Sequence, residues 1–384
     1  MSKRRKAILT VIVLSSLIFV SSLQQRKSVI LVNAVNYENS FHHAIIDSAG
    51  AWEITKGSKD ITIAVIDSGI DFSHPDLIAS AWINTGEIFN NSIDDDSNGY
   101  VDDFNGWDFT GNDSFPGPEV DDPIHWHGTF IAGIIAAPLD NNGIVGVAPN
   151  VTVMDLRILG DDNYNNVTME DFGKAIRYAV DNGADVINLS LQYYPDSNDY
   201  YDDIVYAINH NVPVVAVSGN TYLPEGGQYY QSFPGGYEEV ICVGATDENN
   251  TKADYSNYGP WVDIVAPVGS QGGTVKIIST WPPTNYGSSY GTSFACPQVA
   301  SVVALMRTLN YSLTVTEIKD LLYRSATDIG TKGKDDYYGH GLLNAALAVK
   351  AVEDSSVLEK TSFFIIFPSL SLFVLALIYN RKKK

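Results

Sequence analysis

Residues 61–69 of the chain, Ile61-Thr62-Ile63-Ala64-Val65-Ile66-Asp67-Ser68-Gly69, join a short β-branched apolar run to a carboxylate and a glycine turn. A short apolar run that is bounded by a turn signal predicts a strand buried in the centre of a sheet. Sites in open α/β sheets lie outside the carboxyl ends of the strands. The segment therefore places Asp67 where a functional site is expected.

The rest of the 384-residue chain alternates similar apolar runs with helical patterns. Such alternation is typical of an α/β fold, and the chain is long enough for one large domain with terminal segments. We predict a three-layer sandwich in which a mainly parallel central sheet carries helices on both faces. The predicted strands cover residues 61–67, 151–159, 185–189, 214–217, 240–243 and 262–266. The predicted helices cover residues 127–136, 169–182, 200–209, 293–309, 316–326 and 342–353.

Two further segments carry polar residues at the start of apolar helical patterns. His127 begins the run 127–135, in which small residues recur at helical spacing and would let the helix approach its neighbours closely. Ser293 lies between Gly291 and the long apolar stretch 299–309, so it is placed at the start of a buried helix. A helix N-terminus lends positive potential to such a serine and to an oxyanion that forms beside it.

Asp67, His127 and Ser293 are the three side-chain types that nucleophilic catalysis by a serine requires. A serine hydroxyl is a poor nucleophile until an imidazole removes its proton, and the imidazole needs a buried carboxylate that fixes its tautomer. Taken singly, each residue has an ordinary structural role, because serine caps helices, histidine is often structural and aspartate caps turns. Their joint occurrence in these contexts predicts a catalytic triad.

Several other segments accompany the triad candidates, at residues 65–71, 74–77, 145–149, 186–191 and 218–220. In order and spacing the chain resembles the subtilisin family (subtilases) of serine proteases over roughly residues 44–352. The resemblance implies a subtilisin-like fold, a triad made of the three residues above, and hydrolysis of peptide bonds through an acyl-enzyme. The chain order Asp, His, Ser is the one already known for subtilisin. An α/β-hydrolase esterase is excluded, because its serine comes first.

The resemblance also assigns residues to the oxyanion and to the substrate. Asn220 follows an apolar strand pattern, and its side-chain amide would donate to the developing oxyanion together with the N–H of Ser293. The residues expected to contact the substrate beside the specificity pocket are Ser190, Leu191, Gln192 and Ser232. The small side chain of Ser232, at the expected floor of the pocket, predicts a roomy apolar pocket.

Three residues depart from the subtilase pattern. Phe130 stands where a second histidine is usual, Gln298 where a histidine normally follows the proline, and Gln192 where glycine is usual. The first two predict altered packing, whereas Gln192 would narrow or redirect the specificity pocket. These changes leave one alternative to the protease, a catalytically impaired surface binding or adhesion module with the same fold. The intact triad and Asn220 favour the enzyme.

An acidic segment at residues 94–103 carries oxygen ligands at alternate positions and a glycine at its turn. It resembles the first half of a calcium loop, in which hard oxygen ligands surround a hard cation. Because subtilases often carry calcium in surface loops, the resemblance implies a structural Ca2+ ion, and a solvated acidic loop is the alternative. The expected ligands are Asp94, Asp96, Asn98 and Asp103. Asp76 and the turn 140–143 form a weaker second candidate.

Both ends of the chain have membrane-related patterns. Basic residues at 3–6 precede an apolar run at 8–20, which is typical of a signal peptide or an uncleaved anchor. A C-terminal apolar run is followed by the basic residues 381–384, and positive flanks stay on the cytoplasmic side. We therefore expect a protein of the cell membrane with its catalytic domain outside the cell. The predicted organisation is a signal peptide or membrane segment at 1–34, a peptidase domain at 35–354, a tether at 355–362, a transmembrane helix at 363–380 and a cytoplasmic tail at 381–384.

The chain is strongly acidic, with 45 Asp and Glu against 24 Lys and Arg and a net charge of −21. Six basic residues lie in 1–34 and four in 381–384, so the remainder carries 45 acidic and 14 basic residues, or −31. Nucleic-acid binding requires a basic surface and is not expected. We expect a monomer whose partners are protein or peptide substrates and the membrane.

Overall fold

The computed structural model describes residues 29–30, 40–119, 125–140, 142–160, 168–193, 200–221 and 231–355. The strands in these ranges are β1 (Val29–Ile30), β2 (Thr62–Asp67), β3 (Gly106–Asp108), β4 (Thr152–Arg157), β5 (Val186–Leu189), β6 (Val214–Val217), β7 (Ile241–Thr246), β8 (Ile264–Pro267), β9 (Ile277–Trp281) and β10 (Asn285–Ser289). The helices are α1 (Phe41–Ile45), α2 (Ser48–Trp52), α3 (His127–Ala136), α4 (Met169–Asp181), α5 (Tyr201–Asn209), α6 (Cys296–Leu309), α7 (Val315–Ser325) and α8 (345–355).

Seven strands form one parallel sheet in the order β3-β4-β2-β5-β6-β7-β8. All six residues of β2 are buried, because a parallel sheet is covered on both faces. The last residue of β2, Asp67, lies opposite Arg157, the last residue of β4. The carboxyl ends of β2, β5 and β6 therefore lie side by side at one end of the sheet.

The side chains of β2 alternate between two hydrophobic cores. Ile63 and Val65 pack in the core that contains α3 and α6, whereas Ala64 and Ile66 pack in the core that contains α4 and α5. Every residue of α6 from Cys296 to Arg307 is buried, so this helix runs through the first core. The predicted α/β sandwich of three layers, with helices on both faces of a parallel sheet, is confirmed.

Helix α3 packs tightly on β9, which forms an antiparallel sheet with β10 and β1. A Cβ atom on Gly133 would lie 2.3 Å from both Ser279 Oγ and Thr280 Oγ1, so the helix can approach the strand only with glycine there. The two hydroxyls donate to the carbonyl oxygens of Phe130 and Thr129, each at 2.6 Å. These contacts fix the first turns of α3 over the end of the parallel sheet.

Every strand and helix predicted from the sequence is present, with ends shifted by a few residues. The predicted helix at 293–309 begins as a single 3-10 turn, Thr292–Phe294, and continues as α6 from Cys296. The sequence patterns do not predict β3, β9 or β10. These strands have only three to five residues and include polar or glycine positions, so no periodicity marks them.

Within the described ranges, no helix has both the length and the apolar character needed to cross a membrane. The predicted transmembrane helix at 363–380, the tail at 381–384 and most of the tether at 355–362 lie outside those ranges. The N-terminal segment 1–34 also lies outside them, except for β1, in which Val29 pairs with Gly287 of β10.

Candidate active site

The end of β2 and the start of α3 bring Asp67 and His127 together. The Nδ1 atom of His127 is 2.8 Å from Oδ1 of Asp67, although the residues are 60 positions apart. Asp67 is only 1% exposed, and its Oδ1 also accepts a hydrogen bond from the N–H of Ser68 at 2.8 Å. Because a carboxylate can only accept, Nδ1 carries the proton and Nε2 of the neutral imidazole is left as a base.

The loop after β2 ties the two elements together a second time. The N–H of Gly128 donates to Ser68 Oγ at 3.0 Å, so residues next to the acid and next to the base are also joined. A Cβ atom on Gly128 would lie 2.5 Å from the carbonyl oxygen of Gly69, and a larger residue would therefore push α3 away from β2. The spacing of Asp67 and His127 is thus set by backbone packing as well as by their own bond.

Ser293 lies in the single turn that precedes α6, next to Phe294, whose ring packs against the imidazole of His127. The centroid of the His127 imidazole is 5.5 Å from the ring centroid of Phe294, the residue that follows Ser293. In the described part of the chain, the Ser293 hydroxyl donates to the carbonyl oxygen of Ser190 at 3.3 Å and not to His127. The structure therefore forms the predicted acid–base pair and brings the residue after Ser293 against the imidazole, without a serine–histidine hydrogen bond.

The hydroxyl of Ser190 makes the reciprocal contact. It donates to the carbonyl oxygen of Ser293 at 2.8 Å and so attaches the nucleophile segment to the end of β5. The backbone N–H of Ser293 has no hydrogen-bond acceptor among the residues that the structure describes. This N–H is therefore free to donate to a ligand beside the serine.

Asn220 follows β6 and is oriented by the residue before Ser293. Its Oδ1 atom accepts from the N–H of Thr292 at 2.8 Å and from Thr292 Oγ1 at 3.0 Å. Since a backbone N–H can only donate, the amide oxygen must face Thr292 and the Nδ2 group must face away from it. No described residue accepts from Nδ2. The sequence patterns assign no role to Thr292, because a threonine before a serine carries no periodicity or charge signal of its own.

The other predicted substrate residues surround the same region. Leu191 is buried, and Gln192 is half-buried with its Oε1 atom accepting from the backbone N–H of Asn220 at 2.8 Å. Ser232 is fully buried, and its hydroxyl donates to the carbonyl oxygen of Ser218 at 2.6 Å. Ser190 therefore contacts Ser293 itself, whereas Gln192 and Ser232 contact the segment 218–220 that carries Asn220.

Phe130 and Gln298, the two departures from the subtilase pattern for which we predict altered packing, both contact Phe294. The ring of Phe130 is 4.6 Å from the ring of Phe294. The side-chain amide of Gln298 donates to the carbonyl oxygens of Phe294, at 2.9 Å, and of Pro267, at 2.8 Å. Phe130 and Gln298 thus both pack against or bond to Phe294, and so hold the turn that carries Ser293 in place.

Cys296 lies in the same helix as the serine segment but is not a second nucleophile. Its Sγ atom is within 3.3 Å of the carbonyl oxygen of Val215, and the residue is fully buried. Burial raises the pKa of the Cys296 thiol far above its ordinary value, so the reactive thiolate does not form.

The acidic segment forms a cluster that differs in part from the predicted ligand set. Oxygen atoms of Asp96, Asp103 and Glu87 lie within 4.8 Å of one another. Asp94 instead accepts from the N–H groups of Asn98 and Gly99, at 3.1 Å and 2.9 Å. The predicted ligands Asp96 and Asp103 are thus brought together, whereas Asp94 bonds its own loop.

Asn98 and Glu87 complete the acidic cluster in different ways. The Asn98 Nδ2 amide donates to Asp103 Oδ2 at 2.9 Å, so its oxygen is turned away from that carboxylate. Glu87 accepts from the N–H groups of Asp95 and Asp102, at 2.8 Å and 3.1 Å, which encloses it in the loop. The sequence gives no sign of Glu87, because it precedes the acidic run and belongs to no motif.

The weaker second metal candidate is also arranged around a carboxylate. Asp76 Oδ2 accepts from the N–H of Ile144 at 3.0 Å and from the hydroxyl of Tyr286 at 2.9 Å. The contact joins Asp76 to the end of the predicted turn 140–143, of which residue 141 lies outside the described ranges.

Comparisons with known proteins agree with this architecture. Residues 58–341 match the sequence profile of the subtilase family. The chain is 37% identical over 300 residues to a thermophilic serine proteinase from Bacillus sp. (strain AK1), which covers 78% of this chain and 64% of that protein. It is 34% identical to thermitase of Thermoactinomyces vulgaris, over 79% of this chain and 94% of thermitase. It is 32% identical to halolysin of Haloferax mediterranei, over 83% of this chain and 54% of halolysin.

The chain belongs to the subtilase family. It spans less than two thirds of the length of the Bacillus proteinase and of halolysin. The predicted resemblance to subtilases is confirmed.

Proposed function

We propose that this protein is a serine endopeptidase that hydrolyses peptide bonds of proteins through an Asp67–His127–Ser293 triad. The observation that carries the proposal is the pair of donors beside the serine, the Ser293 N–H and the Asn220 Nδ2 amide, which have no acceptor in the described ranges. Oriented donors of this kind are what a developing oxyanion requires. The hydrogen-bonded pair Asp67–His127 supplies the base that a serine needs.

The proposed reaction begins with a change at the serine hydroxyl. Ser293 Oγ leaves the Ser190 carbonyl oxygen by rotation about its Cα–Cβ bond and donates to Nε2 of His127. Such catalytic hydrogen bonds are often absent or long before the substrate binds. As Oγ attacks the substrate carbonyl carbon, its proton moves to Nε2, and Asp67 stabilises the resulting imidazolium.

The negative charge of the first step develops on the substrate carbonyl oxygen, which accepts from Asn220 Nδ2 and the Ser293 N–H. His127 then gives its proton to the leaving amine, and an acyl-enzyme on Ser293 remains. Water hydrolyses the acyl-enzyme with His127 again as the base, which regenerates the free serine. The substrate backbone would lie in extended form beside Ser190, Leu191 and Gln192.

A fluorophosphonate probe tests the proposed activity directly. We expect one covalent label per molecule, at Ser293, in the wild-type protein, and none in Ser293→Ala. Ser312→Ala, which changes an exposed serine after α6, is the matched control and should label like the wild type. A folded wild-type protein that takes no label would favour the alternative, a subtilase-fold binding or adhesion module.

We further propose a structural Ca2+ ion at the acidic cluster. The donor set fits, because Glu87, Asp96 and Asp103 offer hard oxygen atoms within 4.8 Å of one another. Asp103 is fully buried, and none of the three carboxylates pairs with a lysine or arginine among the described residues. Three carboxylates this close repel one another unless a cation or a proton intervenes.

Calcium titration by calorimetry tests the metal proposal without using enzyme activity. We expect one ion to bind the wild-type protein and a chelator to lower its melting temperature. Glu87→Gln should abolish both effects, whereas Glu53→Gln, a change at an exposed glutamate outside the cluster, should abolish neither. Binding and melting that are identical in all three proteins would contradict the proposal.

The location of the protein is proposed from its terminal sequences alone. The basic residues that flank both apolar ends favour a membrane-anchored enzyme whose catalytic domain lies outside the cell. Truncation after residue 354 should release the enzyme into the medium, and the full chain should remain in the membrane fraction. Recovery of both forms in the cytoplasm would contradict this location.

A further inference from the structure

A gap opens beyond the ends of two neighbouring strands, β5 and β6. In the described part of the chain, their parallel ladder ends at Leu189 opposite Ala216. After β6 the backbone stays paired with β7, because the N–H of Ser218 donates to the carbonyl oxygen of Val243 at 2.8 Å. After β5, no described residue beyond Leu189 continues the ladder with β6, and Tyr193 exchanges hydrogen bonds with Phe233 instead. Segments 190–193 and 218–220 therefore form the two walls of the gap.

The gap faces the serine segment on one side and Ser232 on another. Ser190 bonds Ser293 and Asn220 bonds Thr292, so the nucleophile segment lies across the ends of both walls. Ser232 borders the gap on another side, because its hydroxyl donates to the carbonyl oxygen of Ser218, in one of the walls, at 2.6 Å. A substrate carbonyl held between Ser293 Oγ and Asn220 Nδ2 places the side chain of its own residue at this opening.

The side chain of Gln192 crosses the gap from one wall to the other. Its Oε1 atom accepts from the backbone N–H of Asn220 at 2.8 Å, across 28 positions of sequence. The amide therefore occupies the space that the side chain of the attacked residue would enter. A glycine in place of Gln192 would leave this space empty, as in the usual subtilase pattern.

We infer that Gln192 is a specificity-determining residue that restricts the residue before the scissile bond to a small side chain, such as alanine. The inference rests on the proposed peptidase function. A large side chain must displace the glutamine amide, which breaks the bond to Asn220 and leaves that N–H without its acceptor. Loss of this hydrogen bond costs free energy in the segment that carries the oxyanion donor Asn220. Substrates with large and small side chains should therefore differ in kcat as well as in KM. The small Ser232 at the floor does not widen the pocket while Gln192 closes it.

Peptide substrates that differ only in the residue before the scissile bond, alanine or phenylalanine, test the inference. We expect the wild-type protein to have a higher kcat/KM for alanine than for phenylalanine. Gln192→Gly should raise the phenylalanine-to-alanine ratio by about tenfold to a hundredfold, since small differences in pocket size discriminate by such factors. Gln192→Met, which fills the space without accepting from Asn220, is the matched control, and its phenylalanine-to-alanine ratio should lie between those of the wild type and Gln192→Gly.

Two results would overturn the inference. One is a wild-type preference for phenylalanine, and the other is an unchanged ratio in both Gln192→Gly and a second variant, Gln192→Ala. Fluorophosphonate titration of every preparation counts the competent active sites, so misfolded material does not alter the ratio. A wild-type protein that is not labelled at Ser293 overturns the proposed function together with the inference, whereas labelled protein with an unchanged ratio overturns the inference alone.

Discussion

Thr292 holds the side-chain oxygen of Asn220 with two hydrogen bonds, one from its N–H at 2.8 Å and one from its hydroxyl at 3.0 Å. Thr292 is the residue before Ser293, so the orientation of the amide is tied to the position of the nucleophile. The turn Thr292–Phe294 therefore positions both the attacking oxygen of Ser293 and the Asn220 amide that would donate to the developing oxyanion. Preorganised donors of this kind need no rearrangement during the reaction.

Removal of the Thr292 hydroxyl should weaken this orientation without removing the amide. In Thr292→Val we expect kcat to fall by about fivefold to tenfold with little change in KM, because a net hydrogen bond contributes about 1 kcal/mol. Steady-state kinetics on a peptide substrate measures the effect. Thr292→Ser keeps the hydroxyl and should retain most of kcat, and equal losses in both variants would contradict the prediction.

Replacement of the triad carboxylate should leave the fold intact and remove activity. In Asp67→Asn, the amide can donate to Nδ1 of His127. This favours the imidazole tautomer that carries its proton on Nε2, so Nε2 can no longer accept the proton of Ser293. We expect kcat to fall by a factor on the order of 10⁴, the size found for this change in a serine-protease triad. Steady-state kinetics on a peptide substrate measures it. Asp60→Asn, at an exposed site near the start of β2, is the control, and a loss below tenfold at Asp67 would count against the triad.

The close contact of α3 with β9 should be sensitive to a single methyl group. In Gly133→Ala, the new Cβ would lie 2.3 Å from two hydroxyls that are already bonded to the carbonyl oxygens of Thr129 and Phe130. We expect the free energy of unfolding to fall by about 1–3 kcal/mol, the usual cost of overpacking.

Denaturant unfolding measures this change in stability. Gly272→Ala is the matched control, since no atom lies within 4 Å of a Cβ atom there. It should alter the free energy by less than about 0.5 kcal/mol. Equal stability of the Gly133 and Gly272 variants would show that α3 can move away from β9 at no cost.

A buried histidine pair should make the protein less stable in acid. Burial lowers the pKa of His43 from 6.5 to about 4. Burial and the neighbouring His43 also lower the pKa of His42, whose ring nitrogens have no hydrogen-bond partner in the described ranges. Between these pH values the unfolded chain binds protons that the native protein excludes. The free energy of unfolding therefore has its full value, as far as this pair is concerned, above pH 6.5 and falls as the pH drops towards 4.

Comparison with a variant isolates the contribution of His43. In His43→Gln the slope of stability against pH should become shallower by roughly 1 kcal/mol per pH unit in that window. His210→Gln, at an exposed position, should leave the slope unchanged. Burial raises the pKa of Asp155, which contributes a slope of opposite sign, but this contribution is common to all three proteins and cancels. An unchanged slope in His43→Gln would refute the assignment.

Local sequence patterns identified most of the fold and the chemical groups of the site. The apolar run that ends at Asp67 predicted a buried parallel strand, and β2 is one. The helix that begins at His127 and the buried helix after Ser293 were also predicted, and only the turn Thr292–Phe294 changes the start of the second. These features follow from periodicity and residue type, which act over a few neighbouring residues.

Residue type and periodicity are therefore sufficient to locate the strands, the helices, the acid, the base and the serine along the chain. The packing of distant elements, in contrast, brings Gln192 to Asn220, lets Thr292 orient the same asparagine and joins Glu87 to Asp96 and Asp103. These contacts join residues whose separation in space depends on how whole elements pack against one another. Local propensity carries no information about such distances, because the positions of β5, β6 and α6 are set by burial of apolar surface over the entire domain.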